Sequence, residues 1–155
     1  MKVLMVCLGN ICRSPLAQGI LEARAREAGL NWEVDSAGTM HYHVNEPPHI
    51  QSQKTAQKNG IDISAQRCRQ FLASDFDSFD RIYVMDNNNY RDVQKIGGDS
   101  WQEGKVERLL DVLYPGEKRE VPDPYYGTEK DFDAVFLLID QACRKIVDNY
   151  CRVNP

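Results

Sequence analysis

The sequence predicts an α/β fold, a parallel sheet wrapped on both sides by helices. Two observations carry this reading: short β-branched apolar runs alternate with longer segments of helical spacing, and no repeat or linker divides the 155 residues. A chain of this length fits one domain, residues 1–155, large enough to bury a core.

Val3–Val6 is an uninterrupted apolar run with β-branched ends, as expected of a strand buried on both faces. Gly9 and Asn10 interrupt it, and Ser14–Pro15 opens a helix. Serine caps well there, and proline suits the first helical position, where an amide needs no partner. Leu16, Ile20 and Leu21 share one face of that helix, and Gly29 ends it. Trp32–Ala37 reads as the second strand; a helix from about His49 to Lys58 follows Pro47–Pro48 and stops at Asn59–Gly60. Arg81–Met85 is the third strand, with the polar stretch Asp86–Lys95 helical after it. Val106–Leu113 fits a fourth strand or a helix, and its pattern does not decide. Asp131–Tyr150 is the clearest element, because Phe132, Val135, Phe136, Ile139, Cys143, Ile146 and Tyr150 recur at three- and four-residue spacing.

The 19 basic and 23 acidic residues give a net charge of −4, which disfavours nucleic acid as a partner. No apolar run approaches the roughly 20 residues that span a bilayer, and the first apolar stretch is too short for a signal peptide core. Five cysteines are an odd count, so the expected setting is the reducing cytoplasm and not a disulfide framework. Acidity alone would argue against binding anions. Yet the first acidic residue is Glu22, and before it the only charged side chains are Lys2 and Arg13.

Ligands of parallel sheets bind at the carboxyl ends of strands. The segment after the first strand is Cys7-Leu8-Gly9-Asn10-Ile11-Cys12-Arg13-Ser14. Its amides can point inward as an anion nest at a helix N-terminus. Gly9 permits close approach, Asn10 tolerates left-handed backbone, and Arg13 can grip two phosphate oxygens. Cys7 would sit beneath the phosphorus, in a field that also stabilises a thiolate. Thiolate formation alone gains only about 2 kcal/mol, so most of the rate enhancement falls to Arg13 and the amides. Ser14 can donate to Cys7 and help the thiolate leave. Cys12 is either a small packed residue or a trap for oxidised Cys7.

Such a reaction needs a proton donor, and Val121-Pro122-Asp123-Pro124-Tyr125-Tyr126 supplies one. The flanking prolines pre-order the backbone around Asp123. Tyr125 and Tyr126 can wall a flat substrate ring, with Tyr42 opposite. His41, His43 and His49 lack neighbouring ligands at metal spacing, and a solvated loop is the expected reading.

With these two segments the sequence resembles the low-molecular-weight protein tyrosine phosphatases. Val6–Pro15 looks like that family's phosphate loop and Asp123-Pro124-Tyr125-Tyr126 like its general-acid loop. Asp35–Thr39, Gly60-Ile61 and Met85-Asp86 fall in the family's order and approximate spacing. The resemblance implies a three-layer fold with a four-stranded parallel sheet, and phosphotyrosine hydrolysis without cofactor or metal. It makes Cys7, Arg13 and Asp123 the catalytic set, with Asn10 and Ser14 shaping the loop and Tyr42, Tyr125 and Tyr126 lining the cleft. The loop residues Leu8, Gly9, Asn10, Ile11, Cys12 and Ser14 are expected to contact substrate. The expected partner is a phosphotyrosine-bearing protein, without nucleic acid or membrane, and the expected state a monomer or weak homodimer. Two positions depart from the pattern: Asn45 stands where glycine is common, and Ala65 about where some members place a histidine supporting the loop asparagine. The rival readings are an arsenate reductase, for which Cys68 is the mid-chain resolving candidate, and a phosphate- or phosphotyrosine-binding module without turnover.

Overall fold

The computed structural model describes residues 1–155. Strands β1 (Lys2–Cys7), β2 (Glu33–Gly38), β3 (Arg81–Val84) and β4 (Val106–Arg108) form one sheet in the order β2-β1-β3-β4. Every pairing is parallel. Helices α1 (Arg13–Glu27), α2 (Ile50–Lys58), α3 (Asp75–Ser78), α4 (Asn87–Gly97) and α5 (Glu129–Val153) complete the chain. No helix is long and apolar enough to cross a membrane.

Central strand β1 feeds two cores, because successive side chains point to opposite faces. Val3, Met5 and Cys7 join Leu16, Ile20 and Leu21 of α1 and Val135, Phe136, Ile139 and Cys143 of α5. Leu4 and Val6 meet Phe71, Phe76 and Phe79 around α3, with Val93 of α4. The three-layer expectation is thereby met. The undecided segment divides: Val106–Arg108 is a strand, and Leu109–Val112 is a 3₁₀ turn whose Leu109 and Leu110 pack into the first core. Helix α3 and the 3₁₀ turn at Gly98–Ser100 carry no periodicity that a sequence reading could use.

The start of α1 differs from expectation. Helical geometry begins at Arg13 with Cys12 at the cap position, so Ser14 and Pro15 lie inside the first turn and Ser14 caps nothing. Its hydroxyl is instead directed back at Cys7. Asp86, expected as the first helical residue of α4, is its cap and accepts from Asn89 N–H at 2.7 Å.

The histidines also depart from the solvated-loop reading. His41 is exposed, but His49 caps α2, its Nδ1 accepting from Gln51 N–H at 3.0 Å. The His49 ring stacks on Phe132 with centroids 5.1 Å apart. Burial, helped by His43, holds its pKa below the ordinary 6.5, so the neutral, cap-accepting ring is the folded form. A depressed folded pKa means that this contribution is complete above pH 6.5 and is lost as pH falls through the folded value. His49→Asn keeps a capping acceptor without a titrating ring. The wild-type unfolding midpoint should therefore drop relative to that of His49→Asn between pH 7 and pH 5. A difference that stays constant across that range removes His49 as the titrating cap.

Candidate active site

The loop from Leu8 to Cys12 joins the carboxyl end of β1 to α1, and its hydrogen bonds are one-sided. The Cys7 carbonyl accepts from Thr39 N–H at 3.0 Å, Leu8 from Met40 N–H at 2.9 Å, and Ile11 from His49 N–H at 2.8 Å. The Asn10 carbonyl accepts from Cys68 Sγ and the Cys12 carbonyl from Ser52 Oγ. None of the amides of Leu8, Gly9, Asn10, Ile11 and Cys12 donates to a protein acceptor. A trans peptide points its C=O and N–H opposite ways, so tying carbonyls outward turns amides inward. The result is a cradle of donors at the N-terminus of α1, suited to an anion.

Asn10 holds the cradle's shape. Its φ of 56° is left-handed, and the residue is 1% exposed. Arg69 N–H donates to Asn10 Oδ1 at 2.9 Å, and a backbone amide can only donate. Asn10 Nδ2 must then face the two serines, donating to Ser14 Oγ at 2.8 Å and Ser36 Oγ at 2.9 Å. Ser36 passes its own proton to Gln18 Oε1 at 2.7 Å. Ser14, already accepting from Asn10, has its hydroxyl hydrogen free for Cys7 Sγ, 3.0 Å away. This polarity makes Ser14 a donor to a thiolate.

Arg13 is 3% exposed, beside the cradle. Its Nη1 donates to Asp86 Oδ2 at 2.8 Å and to the Val121 carbonyl at 3.0 Å, while Nη2 lies 3.7 Å from Asp123 Oδ2. Burial pulls its pKa down, but Cys7, Asp86 and Asp123 outweigh burial, so the guanidinium stays charged. Asp123 is brought to the site from 110 residues away because Val121 N–H pairs with the Met85 carbonyl at 2.8 Å, just beyond β3. Its Oδ1 accepts from Tyr125 N–H at 3.1 Å, leaving the carboxyl nearly half exposed to the cleft.

Cys7, Leu8, Gly9, Ile11, Cys12, Arg13, Tyr42, Asp123, Tyr125 and Tyr126 line one cavity of about 260 Å³. Asn10 and Ser14, also expected to contact substrate, do not line it; they sit behind the cradle and shape it. Tyr125 rests edge-on against His49 at 5.7 Å, whereas Tyr126 is 96% exposed and forms a rim, not a wall. His43 also lines the cavity and pairs with Glu46, a role its sequence neighbourhood does not signal. Asp86, known from the sequence only as part of a spaced motif, is the partner of Arg13. Burial first, then Cys7 and Asp123, push the Cys12 thiol up to about 12, so Cys12 stays protonated. Asn45 adopts φ 71°, the conformation for which a glycine would be the ordinary choice. Ala65 is exposed, and the support of Asn10 comes instead from Cys68 and Arg69.

A phosphate-sized cradle of free amides, closed by a buried arginine at the end of a parallel strand, defines a phosphoryl-handling α/β enzyme. The sequence model of the family described as low molecular weight phosphotyrosine protein phosphatase matches residues 2–153. The chain belongs to that family and is a phosphatase. The human low molecular weight phosphotyrosine protein phosphatase is 36% identical over 95% of this chain and 94% of its own. A protein tyrosine phosphatase structure from Entamoeba histolytica superposes with a TM-score of 0.89 at 34% identity, covering 100% of this chain and 99% of that one. A Drosophila arginine phosphatase superposes with a TM-score of 0.88 at 32% identity, covering 97% of this chain and 98% of its own.

The close approach of β2 to the cradle depends on Gly38. A Cβ there would stand 2.9 Å from Asn10 N, Gly9 C and Leu8 O, all backbone atoms that cannot move aside cheaply. Gly38→Ala should cost about 1–3 kcal/mol in denaturant unfolding and weaken phosphate binding together with it. Wild-type affinity in the variant would show that the loop tolerates displacement.

Proposed function

We propose that the chain hydrolyses phosphotyrosine through a phosphocysteine intermediate on Cys7. The observation that carries this is the gathering of Cys7, the free amides, Arg13 and Asp123 around one cavity. The Cys7 thiolate attacks phosphorus and the P–O bond to the phenol breaks, while the Asp123 carboxylic acid gives its proton to the leaving oxygen. Arg13 and the loop amides hold the equatorial oxygens, where charge spreads in the transition state. In the second step Asp123 carboxylate takes a proton from water, the oxygen attacks phosphorus, and the P–S bond breaks. Ser14 donates to the departing thiolate.

The relation to an arginine phosphatase supplies a second reading, phosphoarginine as substrate. The walls above the cradle are Leu8, Ile11, Tyr42 and Tyr125, and the polar acceptors among the lining side chains are few, chiefly Asp123 and His43. A guanidino group buried there would leave N–H donors unpaired, whereas a phenyl ring has none to satisfy. The aryl ester is the reading favoured.

Cys12 supports a redox function of the same site. Peroxide converts the Cys7 thiolate to a sulfenic acid with release of hydroxide. The Cys12 thiol then condenses with it to a disulfide, releasing water and sparing Cys7 further oxidation.

Cys7→Ser should abolish turnover of aryl phosphates and leave a folded protein that still binds oxyanions. The loss in Asp123→Ala should grow with the basicity of the leaving phenol; equal losses for activated and unactivated phenols remove Asp123 as the acid. Phosphotyrosine peptides should exceed phosphoarginine peptides in kcat/KM by at least tenfold, and the opposite order assigns the second substrate. Peptide mapping after mild peroxide should find a reversible Cys7–Cys12 disulfide, and its absence leaves Cys12 as a packed thiol.

A further inference from the structure

We propose that Ser52 and Cys68 are positioning residues of the anion cradle, each holding one loop carbonyl outward so that the following amide faces the phosphate. This rests on the reading of the Leu8–Ser14 loop as a phosphate site. Three of the five tethered carbonyls, those of Cys7, Leu8 and Ile11, are held by backbone amides. The other two take side-chain donors, the Cys12 carbonyl in addition to its bond within α1. Cys68 Sγ donates to the Asn10 carbonyl at 2.7 Å, and Ser52 Oγ donates to the Cys12 carbonyl at 3.2 Å. By the opposed geometry of a trans peptide, Cys68 sets the direction of the Ile11 amide and Ser52 that of the Arg13 amide.

Ser52 is 0% exposed on α2 and Cys68 3% exposed, so no water competes for either group. Cys68 is pinned by its own backbone as well: its N–H donates to the Glu46 carbonyl and its carbonyl accepts from Asn45 N–H, both at 2.8 Å. Burial, with Cys7 and Glu46 nearby, pushes its thiol up to about 11, so it is a protonated donor at neutral pH. Without Cys68 the Asn10 carbonyl becomes a buried acceptor lacking a partner, and without Ser52 the Cys12 carbonyl keeps only its bond within α1. A peptide that rotates to relieve this turns an oxygen, in place of an N–H, toward the phosphate.

The test measures inorganic phosphate affinity by calorimetry and kcat/KM for p-nitrophenyl phosphate in Cys68→Ala, Cys68→Ser and Ser52→Ala. Each alanine variant should lose roughly threefold to tenfold in both quantities, the factor that one hydrogen bond carries. Cys68→Ser should recover to within about twofold of wild type, because a hydroxyl replaces the donor. A packing role gives the reverse order, since alanine keeps the apolar character that serine loses. Serine ranking below alanine, or wild-type phosphate affinity in both alanine variants, overturns the proposal. Melting temperatures of the three variants identify any that fails to fold, and the remaining ones decide. Failure of the wild-type chain to bind phosphate would instead overturn the reading of the loop itself.

Discussion

One asparagine in a left-handed conformation organises this molecule's chemistry. Every hydrogen-bonding group of Asn10 that could face the protein does so: Oδ1 toward Arg69 N–H, Nδ2 toward Ser14 and Ser36, and its carbonyl toward Cys68. The Arg69 amide is the fixed point, because it has a proton to give and no lone pair to offer. From it the direction of each subsequent proton follows, ending at the Ser14 hydroxyl and Cys7 Sγ. Arg69 is itself fixed by ion pairs to Asp35 at 3.0 Å and Asp75 at 3.1 Å, so the network is anchored on both β2 and α3.

The parallel sheet supplies the second constraint. Cys7 ends β1, and Met85-Asp86 follows neighbouring β3, so both emerge at the carboxyl end of the parallel strands. Asp86 uses one oxygen to cap α4 and the other to hold Arg13. Val121 lies along the end of β3 and takes the remaining hydrogen bond of Arg13 Nη1. Strand order thus brings together residues far apart in sequence, and Arg13 stays buried because each of its contacts is an acceptor.

These arrangements explain what could be read from the chain alone. Apolar periodicity located β1, α1 and α5, since their burial is continuous and needs no partner to be named. Cys7, Arg13 and Asp123 were legible because their spacing and flanking prolines are local features. Ser14 fails as a cap although serine before proline satisfies the helix-start rule, because the helix already begins at Arg13 and places Ser14 two residues past the Cys12 cap. Asp86, Ser52 and Cys68 touch the loop from 73, 40 and 58 positions away, distances at which nothing in the local pattern marks a hydrogen bond. His43 lay within a histidine cluster whose solvated-loop reading fits His41 alone.

The one-sided bonding of the loop has a kinetic corollary. Amides inside helices and strands exchange their hydrogens with solvent only when the structure opens, because each is held by a carbonyl. The amides from Leu8 to Cys12 have no such intramolecular latch, although most of the loop's carbonyls are tied to neighbouring elements. Their isotope exchange is therefore governed by what occupies the cradle more than by unfolding. Five consecutive amides become a built-in gauge of occupancy, fast when the loop faces water and slow when an oxyanion supplies the missing acceptors.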